Sequence, residues 1–495
     1  MLKKVIVLGA GSAGLLAALT LKRRLKHLQV TVVYSEKIGI IGVGEGTTPY
    51  VPLHIHGYLG MDREEFQREV EPVWKLGIEF EWGKRGVFHY SFSNQQTDFQ
   101  WQGLKKPNGY YAFDRFDGAD LPGALMKRRI ATPMGDDGKP DIPPPGVGIA
   151  WHLENHRFVQ WLHKACMREG VKFIEGKVED VELQENGEVK RLLLDGGRRV
   201  AGEMFIDASG FRAELMNKLG AHFDSFTDAL FCDKAVVGGW EREDETILPC
   251  TRSEQMPHGW SWRIDHPDRI NRGYVYSSSF VSDHDAEQAF REANPKIKDT
   301  RLVHFRSGRY RDSWIKNVVG IGNASGFVEP LEASAIMVIC IQSRALTDCL
   351  YDCDGVTNDS LRKSYNKLIG GAWDDIRDFL ALHYKFNTAL DTPFWQECRE
   401  KVNLGKGQDV ADFYQQNGPS LIAKEVLMNA GDPYGMEGYL TLLVGMQVPH
   451  KNTYTPTAEE WKLWENYRNH FSNLAENGVG MKGLLEYMKK PGWAS

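Results

Sequence analysis

Val5-Ile6-Val7-Leu8 is a continuous apolar run, and Val30-Thr31-Val32-Val33 is a second. Short runs without alternation predict strands buried on both faces of a parallel sheet. Between them lie Gly9-Ala10-Gly11-Ser12-Ala13-Gly14 and then Leu15, Leu16, Leu19 and Leu21 at helical spacing. Strand, glycine loop, helix and strand within about 30 residues form a βαβ unit that binds an adenine dinucleotide. Gly9 permits the tight turn, Gly11 lets backbone approach a pyrophosphate, and Gly14 lets helix pack on strand. Ser12 and Ala13 then open a helix whose free N–H groups and positive end face the phosphates. The second strand ends at Tyr34-Ser35-Glu36, and either Glu36 or Ser35 serves the ribose hydroxyls, with Glu36 preferred.

Further along, "MGDDGKPDIPPPGVG" is too rich in proline, glycine and aspartate for regular structure, so the 107–148 segment reads as a loop or insertion. "HRFVQWLHKACMREG" has helical periodicity and a glycine stop. A strand meander is predicted over 171–174, 181–183, 189–194 and 199–206, with tight turns at Glu185-Asn186-Gly187-Glu188 and Asp195-Gly196-Gly197. In "WKLGIEFEWG", Ile78, Phe80 and Trp82 alternate with Glu79 and Glu81, which predicts a strand with one apolar face and Lys75 at its start. "SYNKLIGGAWDDIRDFLALHYKF" and "SLIAKEVLMNAG" read as helices. The expected organisation is an α/β core over 1–360, with 75–150 and 215–315 forming a substrate region, and a helical C-terminal region over 361–495.

Composition narrows the function. A chain of 495 residues exceeds one small core, and its 60 basic against 66 acidic residues give a net charge of −6 without a long basic run. That argues against a nucleic-acid partner. Seven scattered cysteines fit reduced thiols in a cytoplasm better than a disulfide framework. No apolar run reaches membrane-spanning length, and the first strand starts too early for a signal peptide. His152 and His156 in "WHLENH" lie one helical turn apart but lack a third ligand, and they read as structural rather than zinc-binding.

Two further segments, "FIDASG" with Asp207 and "VVGIGNASGF" with Asn323 and Gly326, place small residues after an apolar strand. They look like the segments with which large flavoproteins bring backbone to FAD. Trp260 and Trp262 lie at i, i+2 on one side of a strand-like stretch, which is either core packing or a site wall. "IGVGEGTTP" sets glycines around Glu45, a loop fit to lie against a flavin. "FVEPLEASAI" carries Glu329 and Glu332, acids that are costly to bury without partners.

Taken in order and spacing, the glycine loop, "IGVGEGTTP", "WKLGIEFEWG", "WSWRID" and "GIGNASGFVEPLEASAI" resemble the tryptophan-halogenase family of flavin-dependent halogenases. The resemblance covers most of the chain to about residue 350. It implies a Rossmann-type, monooxygenase-like FAD core. Reduced FAD (FADH2), O2 and chloride or bromide would yield hypohalous acid, which halogenates an electron-rich aromatic such as an indole. Lys75 occupies the catalytic-lysine position and Glu332 the active-site glutamate. Gly42, Val43, Gly44 and Glu45 belong to the strap against the flavin, Ser334 and Ala335 to the halide site, and Trp260, Trp262 and Glu332 to the substrate region. Two positions depart from the pattern: Asp265 stands where proline is usual, and Ala335 where glycine is usual. A Cβ and a penalty on positive φ at 335 would reshape the halide pocket. One dinucleotide fingerprint, not two, implies reduced flavin from a separate reductase, and a homodimer is compatible with the chain. The alternatives are an FAD-dependent aromatic hydroxylase and a flavoprotein without halogenase activity.

Overall fold

The computed structural model describes residues 2–39, 44–93, 116–143, 147–420, 422–428 and 431–494. Gly42, Val43 and part of the 107–148 segment lie outside them. The chain divides into two compact units. The first comprises Met1–Val70, Leu153–Thr227 and Phe305–Asp374. The second comprises Glu71–His152, Asp228–His304 and Asp375–Ser495.

The first unit is built on a six-stranded sheet ordered Trp314–Ile315, Val318–Gly320, Met204–Asp207, Lys4–Leu8, Gln29–Tyr34, Lys172–Glu175. All neighbours are parallel except the antiparallel edge at Trp314–Ile315. Val5, Ile6 and Val7 are fully buried in the centre, as their unbroken apolar run requires. Helix Ser12–Arg24 packs against helices Asn155–Arg168 and Ser334–Asp352. A three-stranded antiparallel sheet, Val178–Leu183, Val189–Leu194 and Arg199–Ala201, closes Val181, Leu192 and Leu194 over Ile6, Val33 and Phe205.

Two details differ from the expected meander. Lys172–Glu175 leaves it to pair in parallel with Gln29–Tyr34. The run 199–206 is two strands, broken at Gly202, with Met204–Asp207 crossing to the parallel sheet. A Cβ at Gly202 would lie 2.5 Å from the Ile6 side chain, so only glycine lets the chain cross there.

The second unit contains a seven-stranded sheet ordered Thr300–His304, Lys234–Glu241, Arg269–Tyr276, Gly259–Asp265, Thr251–Met256, Gly77–Glu81, Val87–Ser91. It is antiparallel except where Thr251–Met256 meets Gly77–Glu81. Helix Leu121–Arg128, within the segment read as a loop, starts with Asp120 capping Gly123 N at 3.0 Å and Pro122 in its first turn. The expected C-terminal helices are present. Asp359–Lys385 begins in the first unit and ends in the second, and Pro393–Lys401, Gly407–Asn417, Gly435–Gly445, Ala458–Glu476 and Met481–Met488 follow.

The alternating segment is buried on both faces, not one. Ile78, Phe80 and Trp82 are fully buried, but Glu79 is only 2% exposed. Its carboxylate is tolerated because Arg129 donates to both oxygens (2.5 and 3.2 Å) and His89 Nε2 lies 3.1 Å away. Lys75 does not open this strand. It ends a separate strand, Val73–Lys75, which pairs antiparallel with Ala150–Leu153.

Candidate active site

In the first unit the carboxyl ends of the parallel strands open on a cavity of about 1020 Å³. Gly9 to Ala13, Ser35, Glu36, Glu45, Ala208 to Arg212, Asn323, Ala335 and Ile336 all line it. This is where a doubly wound sheet places its ligand. A Cβ at Gly14 would sit 2.0 Å from Gly9 O, so Gly14 serves helix–strand packing, whereas nothing lies within 4 Å of the Gly11 position. Gly11 is also the N-cap of helix Ser12–Arg24, with no side-chain cap and no acid in the first turn. A bare glycine at an uncapped, acid-free helix N-terminus fits the pyrophosphate of FAD. Ser12 Oγ is not free for the phosphates; it donates to Asn155 Oδ1 at 2.9 Å. No local motif marks Asn155, because its partner Ser12 lies 143 positions away.

Both alternatives at the ribose end border the cavity: Ser35 Oγ has no partner among the described residues, and Glu36 is exposed. Asp207 does not line it. Its Oδ1 accepts from Ser209 N and Oγ (3.0 and 2.6 Å) and its Oδ2 from Leu215 N and Met216 N (2.7 and 3.0 Å). The carboxylate therefore shapes the 208–212 turn. Gly326 is likewise a packing residue, where a Cβ would meet Trp373 and Gly308 O at 2.9 Å. Asn323 does border the cavity, in the turn Gly322–Ala324. That turn is held by Gln342, whose Oε1 accepts from Gly322 N (2.9 Å) while Nε2 donates to Ser325 Oγ (2.7 Å). Gln342 was missed, although a fully buried amide in the apolar helix "SAIMVICIQSRAL" is its signal.

Glu45 lines the same cavity, and burial pushes its carboxyl up to about 7. Glu332 is 1% exposed at the end of the turn Pro330–Glu332, directly before helix Ser334–Asp352. Here the expectation for Ala335 is corrected. Ala335 lies within the helix, and the left-handed residue is Ala333 (φ 54°, ψ 36°). The added Cβ at 335 meets no backbone penalty; the strain sits two residues earlier.

In the second unit Lys75 is fully buried, its Nζ 5.2 Å from the centre of the Phe92 ring. Trp260 and Trp262 lie on one face of strand Gly259–Asp265, ring centres 5.8 Å apart, at 1% and 5% exposure. Trp262 covers Gly273, where a Cβ would lie 2.0 Å from the indole. Asp265 is buried at 1% exposure and is held by Arg263 (2.9 and 3.2 Å), Leu248 N (2.7 Å) and Arg242 (3.4 Å). The departure from proline thus carries two arginines with it. His152 and His156 do not share a helix: His152 lies in strand Ala150–Leu153 and His156 in the first turn of Asn155–Arg168. Among the described residues no histidine, cysteine or acid cluster is arranged to hold a metal, and no helix is long and apolar enough to cross a membrane.

The family model for tryptophan halogenase matches residues 4–460. The chain belongs to the tryptophan halogenase family. Tryptophan 6-halogenase ThaL of Streptomyces albogriseolus is 30% identical over 84% of this chain and 83% of its own. Tryptophan 7-halogenase RebH of Lentzea aerocolonigenes is 30% identical over 83% and 82%. Among solved structures, MibH, a lathipeptide tryptophan 5-halogenase, superposes with a TM-score of 0.90 at 33% identity over 99% of this chain and 94% of its own. BrvH, a flavin-dependent halogenase from Brevundimonas sp. BAL3, gives 0.86 at 27% over 99% and 100%. The protein is a flavin-dependent halogenase.

Proposed function

We propose that this halogenase uses reduced FAD, O2 and chloride or bromide to halogenate an electron-rich aromatic of the indole or tryptophan class through Lys75. When bound, reduced FAD with O2 supplies the two-electron oxidant that turns halide into hypohalous acid. Gly11 and the N-terminus of helix Ser12–Arg24 anchor the pyrophosphate, and Glu36 or Ser35 takes the ribose. Ser334 and Ala335, at the start of helix Ser334–Asp352, take the halide. Lys75 Nζ then hydrogen-bonds the hypohalous acid, or carries its halogen as a haloamine, and hands positive halogen to the ring. Glu332 accepts the proton the arene loses. Trp260 and Trp262 wall the substrate region with aromatic surface and exclude water.

The burial of Lys75 is the observation that carries this reading. A lysine usually keeps its ammonium in water, and a wholly enclosed one at the end of a strand has a chemical use. Lys75→Ala should remove halogenated product, a loss of at least about 100-fold, while reduced-flavin oxidation continues. Mass spectrometry of an indole and phenol panel, with a flavin reductase and both halides present, reads the outcome. Product containing oxygen in place of halogen would make the enzyme a hydroxylase. Full activity in the variant would remove Lys75 from the mechanism.

A further inference from the structure

His152 is fully buried in the strand that pairs with Val73–Lys75. The register sets Lys75 opposite Ala150 and Val73 opposite His152. Lys75 and His152 therefore project from the same face as diagonal neighbours, a spacing that a long side chain bridges. The Lys75 charge is felt at the ring: after burial, it is the largest cause holding the imidazole well below its usual range. The other groups facing it are His266 and Arg263, which push the same way, and the Asp265 main-chain carbonyl, which pulls the other way.

His152 Nε2 lies 2.8 Å from Thr251 Oγ1, while Nδ1 has no partner among the described residues. Two tautomers are open to a neutral ring. A proton on Nδ1 would turn the positive end of a buried N–H into the field of Lys75. A proton on Nε2 is donated to Thr251 and leaves a lone pair on Nδ1 in that field. The second is the favoured state, since it sets a partial negative rather than a partial positive charge in the field of a cation.

We infer that His152 is a positioning residue for Lys75: it donates Nε2–H to Thr251 and offers Nδ1, through one water molecule, as the acceptor that orients the Lys75 ammonium. A buried nitrogen with an unfilled lone pair, on the strand face that also carries Lys75, is a site for such a water. The departure at Asp265 lies against the same ring, since the main-chain carbonyl of Asp265 faces His152 while two arginines hold its carboxylate. This inference rests on Lys75 being the residue that handles the halogen.

Imidazole nitrogen NMR of the FAD-loaded enzyme tests the geometry, with His152 assigned by its absence from the His152→Phe spectrum. The expected result is a proton on Nε2 at neutral pH and a His152 titration that moves upward in Lys75→Met. A proton on Nδ1, or a titration unmoved by Lys75→Met, would overturn the inference even if His152→Phe folds poorly. In turnover, His152→Phe should lower the halogenation kcat roughly tenfold, leave the KM for halide unchanged and displace the pH profile, with His152→Asn restoring part of the rate. A wild-type rate and pH profile in His152→Phe, with Lys75→Ala inactive, would also overturn it. An active Lys75→Ala would instead defeat the reading of Lys75, leaving the NMR result to decide the contact.

Discussion

At the scale of single residues, the buried pair of His89 and Glu79 is held by close charge compensation, and pH exposes the arrangement. His89 sits between Asp117 (2.7 Å) and Glu79 (3.1 Å), and these carboxylates hold its ring up at about 9 despite burial. Glu79 is held down at about 2 by His89 and Arg129. The raised histidine contributes stability that is complete below its unperturbed 6.5 and is lost as pH rises through about 9. The depressed Glu79 contributes above 4.5 and ceases to as pH falls through about 2. His89→Gln should therefore cost most between about pH 4.5 and 6.5 and progressively less toward pH 9, as chemical denaturation at several pH values would show. Glu45 has the opposite sign. Its folded value near 7 lies above the unperturbed 4.5, so the ionised form is the penalised one. In flavin-free protein, Glu45→Gln should raise Tm little below pH 4.5, progressively more as pH rises toward about 7, and by a constant amount above it, by thermal melts across that range.

At the scale of elements, the glycine loop separates binding from folding. The site of a Gly11 Cβ is open, while that of a Gly14 Cβ is filled by Gly9 O at 2.0 Å. Gly11→Val should leave stability within about 1 kcal/mol of wild type and weaken flavin binding by about tenfold or more, because the side chain enters the pyrophosphate position. Gly14→Ala should instead destabilise the fold by about 1–3 kcal/mol, since helix and strand must part. Flavin titration together with thermal melts distinguishes the two. The strand–loop–helix was legible because each glycine task is local. The division of 199–206 into two strands was not, because it depends on Ile6 lying beneath Gly202, a contact between segments nearly two hundred positions apart. Asn155 and Gln342 escaped for the same reason: their partners, Ser12, Gly322 and Ser325, come from other segments.

At the scale of the whole molecule, each unit is assembled from three separate stretches of chain. The first presents a single dinucleotide fingerprint at Gly9–Gly14 and no second one follows. NADH and FAD alone should support little turnover. Adding a flavin reductase should restore it, with product followed by mass spectrometry; rapid turnover without the reductase would contradict the two-component reading.

The parallel βαβ start, the helical C-terminal region and the family are all written in the order of residues along the chain. These follow from hydrophobic period, glycine position and the order of short motifs, all properties of neighbouring residues. That order also singles out Lys75, Glu332 and the tryptophan pair as chemistry-bearing positions. It takes the folded chain to reveal that Lys75 ends one strand rather than beginning the next, that Asp207 braces a turn, that the left-handed strain lies at Ala333, and that His152 stands diagonal to Lys75. Burial, strand register and hydrogen-bond partners depend on which distant segments meet, and the pattern of one segment carries no record of that meeting.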